Sequence, residues 1–243
     1  VGAVPLTVRN LENTLPGKTG VTLYTRKMDN SEQAFIQALK RYSAGNYGLL
    51  DKPWIARQPG VTAQELPRSL SAKEFEVIGL PVTQGLYLHE VESRYLGEWI
   101  SQKPQPAYVH ALSLVTNLGV HVQMGKVNGQ VWVTDLAAGR PVANAAVSVW
   151  DCYDERLLWS GQTNEQGLVR VDRGVFTERP YKEIENKSNC QGSPWVIMAA
   201  SGTDRSFALS EWNGGLESWR FNLYGESDYA CEYECGGYGY GET

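Results

Sequence analysis

Residues 112–171 read LSLVTNLGVHVQMGKVNGQVWVTDLAAGRPVANAAVSVWDCYDERLLWSGQTNEQGLVRV. In Gln130-Val131-Trp132-Val133-Thr134 and again in Ala146-Val147-Ser148-Val149-Trp150, valine returns at every second position. A period of two puts alternate side chains on opposite faces of an extended chain and predicts half-buried strands. Gly139-Arg140-Pro141 separates these strands, and Asn164-Glu165-Gln166-Gly167 breaks the next pair. Glycine and asparagine accept the positive φ of tight turns, and proline presets φ for a turn start. Strands punctuated by such short clusters describe an antiparallel β-sandwich. The stretch holds no catalytic constellation, so the search for function turns to scaffold, spacing and interface.

The flanking sequence extends this pattern in both directions. Residues 4–10 and 20–25 alternate as strands around the turn Asn13-Thr14-Leu15-Pro16-Gly17. Ser31 to Ser43 predicts the single helix of real length, with Phe35, Ile36, Leu39 and Tyr42 on one face. Asp29 is the expected cap, with Glu32 as its reciprocal partner, and Gly45 the expected stop. Residues 46–72, with Pro53, Pro59 and Pro67, read as irregular, and strands resume at 74–78 and 85–91. Lys103-Pro104-Gln105-Pro106 reads as a short stiff connector. The domain boundary is therefore expected at this connector, within about ten residues, and is drawn between residues 105 and 106. It divides a sandwich with a helical insertion (1–105) from a second sandwich (106–223). The Gly- and Tyr-rich stretch 224–243 is expected to be a linker toward a further domain. Tyr95, Trp99, Pro104, Pro106 and Tyr108 are the expected junction residues, burying against the opposite domain and holding the pair at a fixed angle.

A chain of 243 residues is long enough for real cores, and 42% hydrophobic with 20% charged residues is ordinary globular composition. The net charge of −5 leaves no basic footprint, which argues against nucleic acid as a partner. No apolar run approaches the roughly 20 residues that span a bilayer. The chain starts at Val1 with no export signal, which reads as a processed chain or, preferably, as a piece of a longer protein.

Several separated motifs also carry a family resemblance. LVTNLGVHV (residues 114–122), VWVTDLAAGRPVANAAVSVWDCY (131–153) and GQTNEQG (161–167) are similar to the bacterial alpha-2-macroglobulins. Gly85-Leu86-Tyr87-Leu88 with Glu90-Val91-Glu92-Ser93 resembles the closing strand of a preceding domain of that family. The segment 201–207 with Trp212-Asn213 and Trp219-Arg220-Phe221-Asn222 resembles the end of the following one. The resemblance covers residues 80–222 and implies an all-β chain of two tandem antiparallel sandwiches of the macroglobulin kind, similar to fibronectin III and immunoglobulin-like domains. It further implies structural domains of a periplasmic broad-range protease inhibitor, anchored to the inner membrane as a lipoprotein when intact. The implied partners are neighbouring macroglobulin domains, target proteases and a cell-wall synthesis protein. The alternative from another class is a surface adhesin or glycan-binding sandwich.

The four cysteines, Cys152, Cys190, Cys231 and Cys235, allow three pairings and fit an oxidising compartment. Cys152 ends one expected strand and Cys190 precedes another, which makes their pairing feasible in an antiparallel sandwich. Cys231 and Cys235 could close a small ring. The Cys-x-x-Gln core of the family's thioester is absent: Glu155, Ser193, Glu234 and Tyr238 stand where glutamine would be. No bait segment is identifiable. Among the three histidines, His89 and His121 read as strand residues and His89-Glu90 lacks triad spacing. Asp151, Asp154 and Glu155 form an acidic corner too sparse for calcium. No metal, cofactor or enzymatic activity is expected. Trp132, Trp150, Trp159 and Trp195 read as core aromatics, and Trp212 and Trp219 as candidates for packing between domains.

Overall fold

A computed structural model of the protein describes residues 2–8, 21–29, 31–45, 52–66, 76–125, 128–172, 174–177, 180–185 and 187–212. Val1–Ser210 form one compact unit and Glu211–Thr243 a second, of which Glu211 and Trp212 are described. All strand pairings among the described residues are antiparallel. The expected all-β sandwich class is the observed one.

The first body is built on a four-stranded sheet ordered β3-β2-β5-β6, from β2 (Thr22–Lys27), β3 (Thr62–Glu65), β5 (Gly85–Ser93) and β6 (Ala107–Val115). Its two faces follow from alternation along β5. Val91 turns to one side, packing with Val21, Leu23, Leu66 and Leu80. Leu80 belongs to β4 (Glu76–Val82), which pairs with β1 (Gly2–Val8) as a two-stranded ribbon. Leu88 turns to the other side, against Ala38 of the helix α1 (Glu32–Gly45) and Ile55 of the loop that follows it.

The second body is a two-sheet sandwich. One sheet runs β11-β10-β13-β14, from β10 (Ala146–Asp151), β11 (Arg156–Gln162), β13 (Trp195–Ser201) and β14 (Asp204–Leu209). The other runs β12-β8-β7, from β7 (Leu118–Met124), β8 (Gly129–Asp135) and β12 (Leu168–Val171), with the short β9 (Arg140–Pro141) on β8. Between them lie Leu118, Val131, Val133, Val147, Val149, Val171, Ile197 and Ala199. The valines of the alternating strands thus point inward. The turn before β12 needs its glycine: Gly167 sits at φ +71°, and a Cβ there would stand 2.5 Å from the Val133 carbonyl oxygen.

Three expectations are corrected. β6 pairs with β5 over its whole length, from Ser93↔Ala107 to Gly85↔Val115. The boundary expected between 105 and 106 therefore falls inside the first sheet, and the chain changes body at Thr116-Asn117. Alternating prolines at 104 and 106 only resume the strand after an intervening helix. That helix, α2 (Arg94–Ser101), was not foreseen. Ser93 caps it by accepting from Leu96 N at 3.0 Å, and Gln102 at φ 55° ends it. Its polar cap continues a strand without a turn signal, which hides it from periodicity. Third, β3 lies within the segment expected to be irregular. It is a four-residue edge strand whose side chains are all exposed, so it carries no apolar alternation. A one-turn helix α3 (Tyr181–Ile184) completes the elements.

Candidate functional site

The side chain sequence of α1 makes it a shared layer. Phe35, Ile36 and Leu39 are at most 2% exposed and pack on the outer face of the β10/β13 sheet, against Cys152, Cys190, Val196, Met198 and Leu209. Those outer residues are the alternates of the inward Val147, Val149, Ile197 and Ala199. Ala38, on another side of the same helix, meets Ile55 and Leu88 of the first body. One helix therefore fills the space between a sheet of each body. Burying each large side chain contributes about 1.5–3 kcal/mol.

Polar contacts fix the helix in register. The Glu32 carboxylate accepts from Ser148 Oγ at 2.7 Å and from the Trp150 indole at 2.8 Å. Lys40 donates to the Tyr153 carbonyl and to Glu155, both at 2.9 Å, and Gln37 donates to the other Glu155 oxygen at 3.0 Å. The Lys40 hydrogen bond first, and that of Gln37 after it, hold the Glu155 carboxyl below its ordinary range against the opposing effect of burial. Ser43 Oγ accepts from Gln191 N at 2.9 Å. The expected cap is displaced by two residues. Ser31 Oγ accepts from Ala34 N at 3.2 Å, while Asp29 accepts from Ser31 N at 3.0 Å in the turn before it. Glu32 is drawn away from capping by its partners on β10.

The crossing between bodies is held by Asp204, at the start of β14. Its oxygens accept from Thr116 Oγ1 at 2.7 Å and Asn117 N at 2.9 Å. Beneath the other side of α1 lies Glu90, whose side chain is fully buried. It accepts from Trp54 N at 2.5 Å, Ile55 N at 3.3 Å and Ala56 N at 2.8 Å, and from His110 Nε2 at 2.6 Å. Burial alone raises this carboxyl; the His110 hydrogen bond and the amides of Trp54 and Ala56 outweigh it and hold it below 4.5. The Trp54 ring lies edge-on to His110 at 5.1 Å, with the Arg41 guanidinium of α1 over it at 5.1 Å. Glu90 thus positions a turn that in turn supports α1. Nothing in the sequence around Glu90 marks this site, because its partners are 20 and 34–36 residues away and leave no local pattern.

The residues expected at the junction take other places. Trp99 is 74% exposed, Tyr95 is half-buried, and Pro104 and Pro106 lie between α2 and β6. Tyr108 is buried at 3%, but within the first sheet, opposite Glu92 on β5. Burial above all, and the nearby Glu92 charge, push its hydroxyl up to about 12. Cys152 and Cys190 form a disulfide with Cα atoms 5.9 Å apart; Cys231 and Cys235 lie outside the described residues. The tryptophans expected in the core are at its margins. Trp132 is 43% exposed, and Trp150 and Trp159 are half-buried. Their indoles donate to Gln166 O, Glu32 and Asp172. Packing the ring while keeping the N–H bonded favours this edge position. Trp219 lies outside the described residues. Among the described residues no group of three potential ligands has the geometry to hold a metal ion, and no helix is long and apolar enough to cross a membrane.

Residues 115–228 match the family profile of the bacterial alpha-2-macroglobulin MG3 domain. This segment is similar to a bacterial macroglobulin domain. The match begins one residue before Thr116, where the chain crosses between bodies. The fold is similar to native alpha-2-macroglobulin from Escherichia coli spanning domains NIE-MG1. Sequence identity to it is 13% and the TM-score 0.58, covering 86% of this chain and 88% of that one. It is also similar to the structure spanning MG0-NIE-MG1, at 13% identity and TM-score 0.51, where it covers 87% of this chain and 59% of that one. No curated protein matches the chain. The relatives so identified are structural domains rather than an enzyme family.

Proposed function

We propose that this chain is a rigid junction of two consecutive domains in a periplasmic, alpha-2-macroglobulin-like trap for a broad range of proteases. It carries no chemistry of its own. Its work is to hold neighbouring macroglobulin domains at a set angle, so that the intact protein encloses a protease it has engaged. The observation that carries this reading is α1, whose Phe35, Ile36 and Leu39 are buried on the macroglobulin domain while Ala38 is buried on the first body. A helix packed on both sides resists hinging, which a shell requires and a string of independent binding modules does not. The disulfide supports an oxidising, extracytoplasmic compartment.

The test uses endopeptidases assayed on a large protein substrate and on a small chromogenic one. The longer protein containing this chain is expected to abolish cleavage of the large substrate while sparing the small one. Residues 1–243 alone are expected to change neither. Selective protection by the isolated chain would overturn the passive role, and no protection by the longer protein would overturn the trap.

A further inference from the structure

The polar contacts of α1 fall in two groups: Glu32 at its start binds Ser148 and Trp150 along β10, while Gln37, Lys40 and Ser43 reach the segments that flank the disulfide. Lys40 and Gln37 bind Tyr153 and Glu155, immediately after Cys152, and Ser43 binds Gln191, immediately after Cys190. Between these two clamps the sulfurs themselves are covered. Both cysteines are 0% exposed and belong to the apolar cluster that includes Phe35, Ile36 and Leu39. The disulfide ties the end of β10 to the residues just before β13, and Cys152 N donates to Pro194 O at 2.8 Å across the same gap. The surface that α1 lies on is thus the pair of segments that this bond holds together.

We infer that docking of α1 and the oxidation state of Cys152–Cys190 are coupled. The bond assembles the platform for the helix, and the docked helix shields the bond from reductant. At equilibrium the two share one coupling free energy, so undocking favours reduction as reduction favours undocking; separately, burial of the bond under the docked helix slows attack by the reductant. The reductant is a small dithiol. One of its thiolates attacks a protein sulfur and forms a mixed disulfide, and its second thiolate then displaces that sulfur. Two electrons and two protons pass to the protein as two cysteine thiols, and the dithiol leaves as a cyclic disulfide. The inference deepens the junction reading by making its rigidity conditional on an oxidised compartment. The protease assay can fail without touching it.

Two measurements on the full chain test the coupling from opposite ends. In the first, Cys152→Ala/Cys190→Ala is compared with the oxidised protein by hydrogen exchange. Amides of residues 35–43 are expected to exchange at least tenfold faster, while those of β7 and β8 keep their protection. Unchanged protection of 35–43 overturns the inference, as does an equal loss in β7 and β8. In the second, the disulfide stays and the helix is weakened by Gln37→Ala/Lys40→Ala/Ser43→Ala, all at exposed or half-buried positions. Reduction by dithiothreitol, read by mass spectrometry on the peptides carrying Cys152 and Cys190, is expected to become about tenfold faster. An unchanged reduction rate overturns the inference even if the cysteine variant fails to fold.

Discussion

At the scale of single residues, Glu90 is the most demanding choice among the described residues. A carboxylate taken fully out of water costs several kcal/mol unless its lone pairs are filled. Here three backbone amides and His110 fill them. Other ionisable groups around it are Glu92 on the same strand, Tyr24 and Tyr108 on its neighbours, and Arg57 in the turn. Glu90→Gln keeps the shape but replaces one acceptor with a donor facing other donors. It is expected to cost about 3 kcal/mol at pH 7, read as a lower denaturation midpoint. The carboxyl lies below its ordinary value in the folded protein. Its stabilisation is therefore complete above the unfolded value and is lost as pH falls through the folded one. Stability curves of wild type and variant should converge once pH falls below the depressed folded value, on the acid side of the ordinary carboxyl range; a gap that stays constant would mean that Glu90 acts by shape alone.

At the scale of elements, the two longer helices are seated in different ways. α1 relies on large apolar side chains, α2 on the absence of one. Gly97 is buried against the returning chain, and a Cβ there would stand 2.2 Å from Gln105 O and 2.5 Å from Ala107 N. Because backbone on that side cannot yield locally, Gly97→Ala is expected to cost about 1–3 kcal/mol, although alanine is the better helix former. Faster proteolysis around residues 94–106 would report it; unchanged proteolysis would show that α2 shifts freely. Ser31→Ala removes the acceptor for Ala34 N and is expected to cost about 1 kcal/mol, whereas Asp29→Ala costs less because it caps only the preceding turn. Equal losses would restore Asp29 as the cap.

At the scale of the whole molecule, the proposed rigid junction rests on α1 and on Asp204 rather than on the proline connector. Residues 103–106 lie within the first body, so Pro104→Gly/Pro106→Gly should leave small-angle scattering of the chain unchanged. Phe35→Ala/Leu39→Ala opens a cavity on the macroglobulin side, at about 2–5 kcal/mol for each residue. It is expected to broaden the scattering-derived distance distribution while the β7/β8 sheet stays protected. The opposite outcome, hinging on loss of the prolines and none on loss of the helix face, would return the junction to the connector.

The sequence by itself determined the elements whose physics is local. The period-two valines of β8 and β10 chose strands but did not fix the inward face, since Trp132 and Trp150 on the opposite face read equally as core. The turn at 164–167 carried its own glycine, and the apolar stripe of α1 announced a buried helix. It also narrowed the cysteines, because two of them bordered strands that an antiparallel sandwich can place side by side. What it could not show is which surface buries each stripe. An apolar helix face is equally satisfied by its own sheet or by a neighbour's, and burial free energy is non-directional. Only the tertiary structure placed α1 between both bodies, turned Glu32 from a capping residue into a tertiary anchor, and assigned β6 to the first sheet. Glu90 and Asp204 became visible only there as well. Their partners come from distant segments, and hydrogen bonds across such distances leave no periodicity to read.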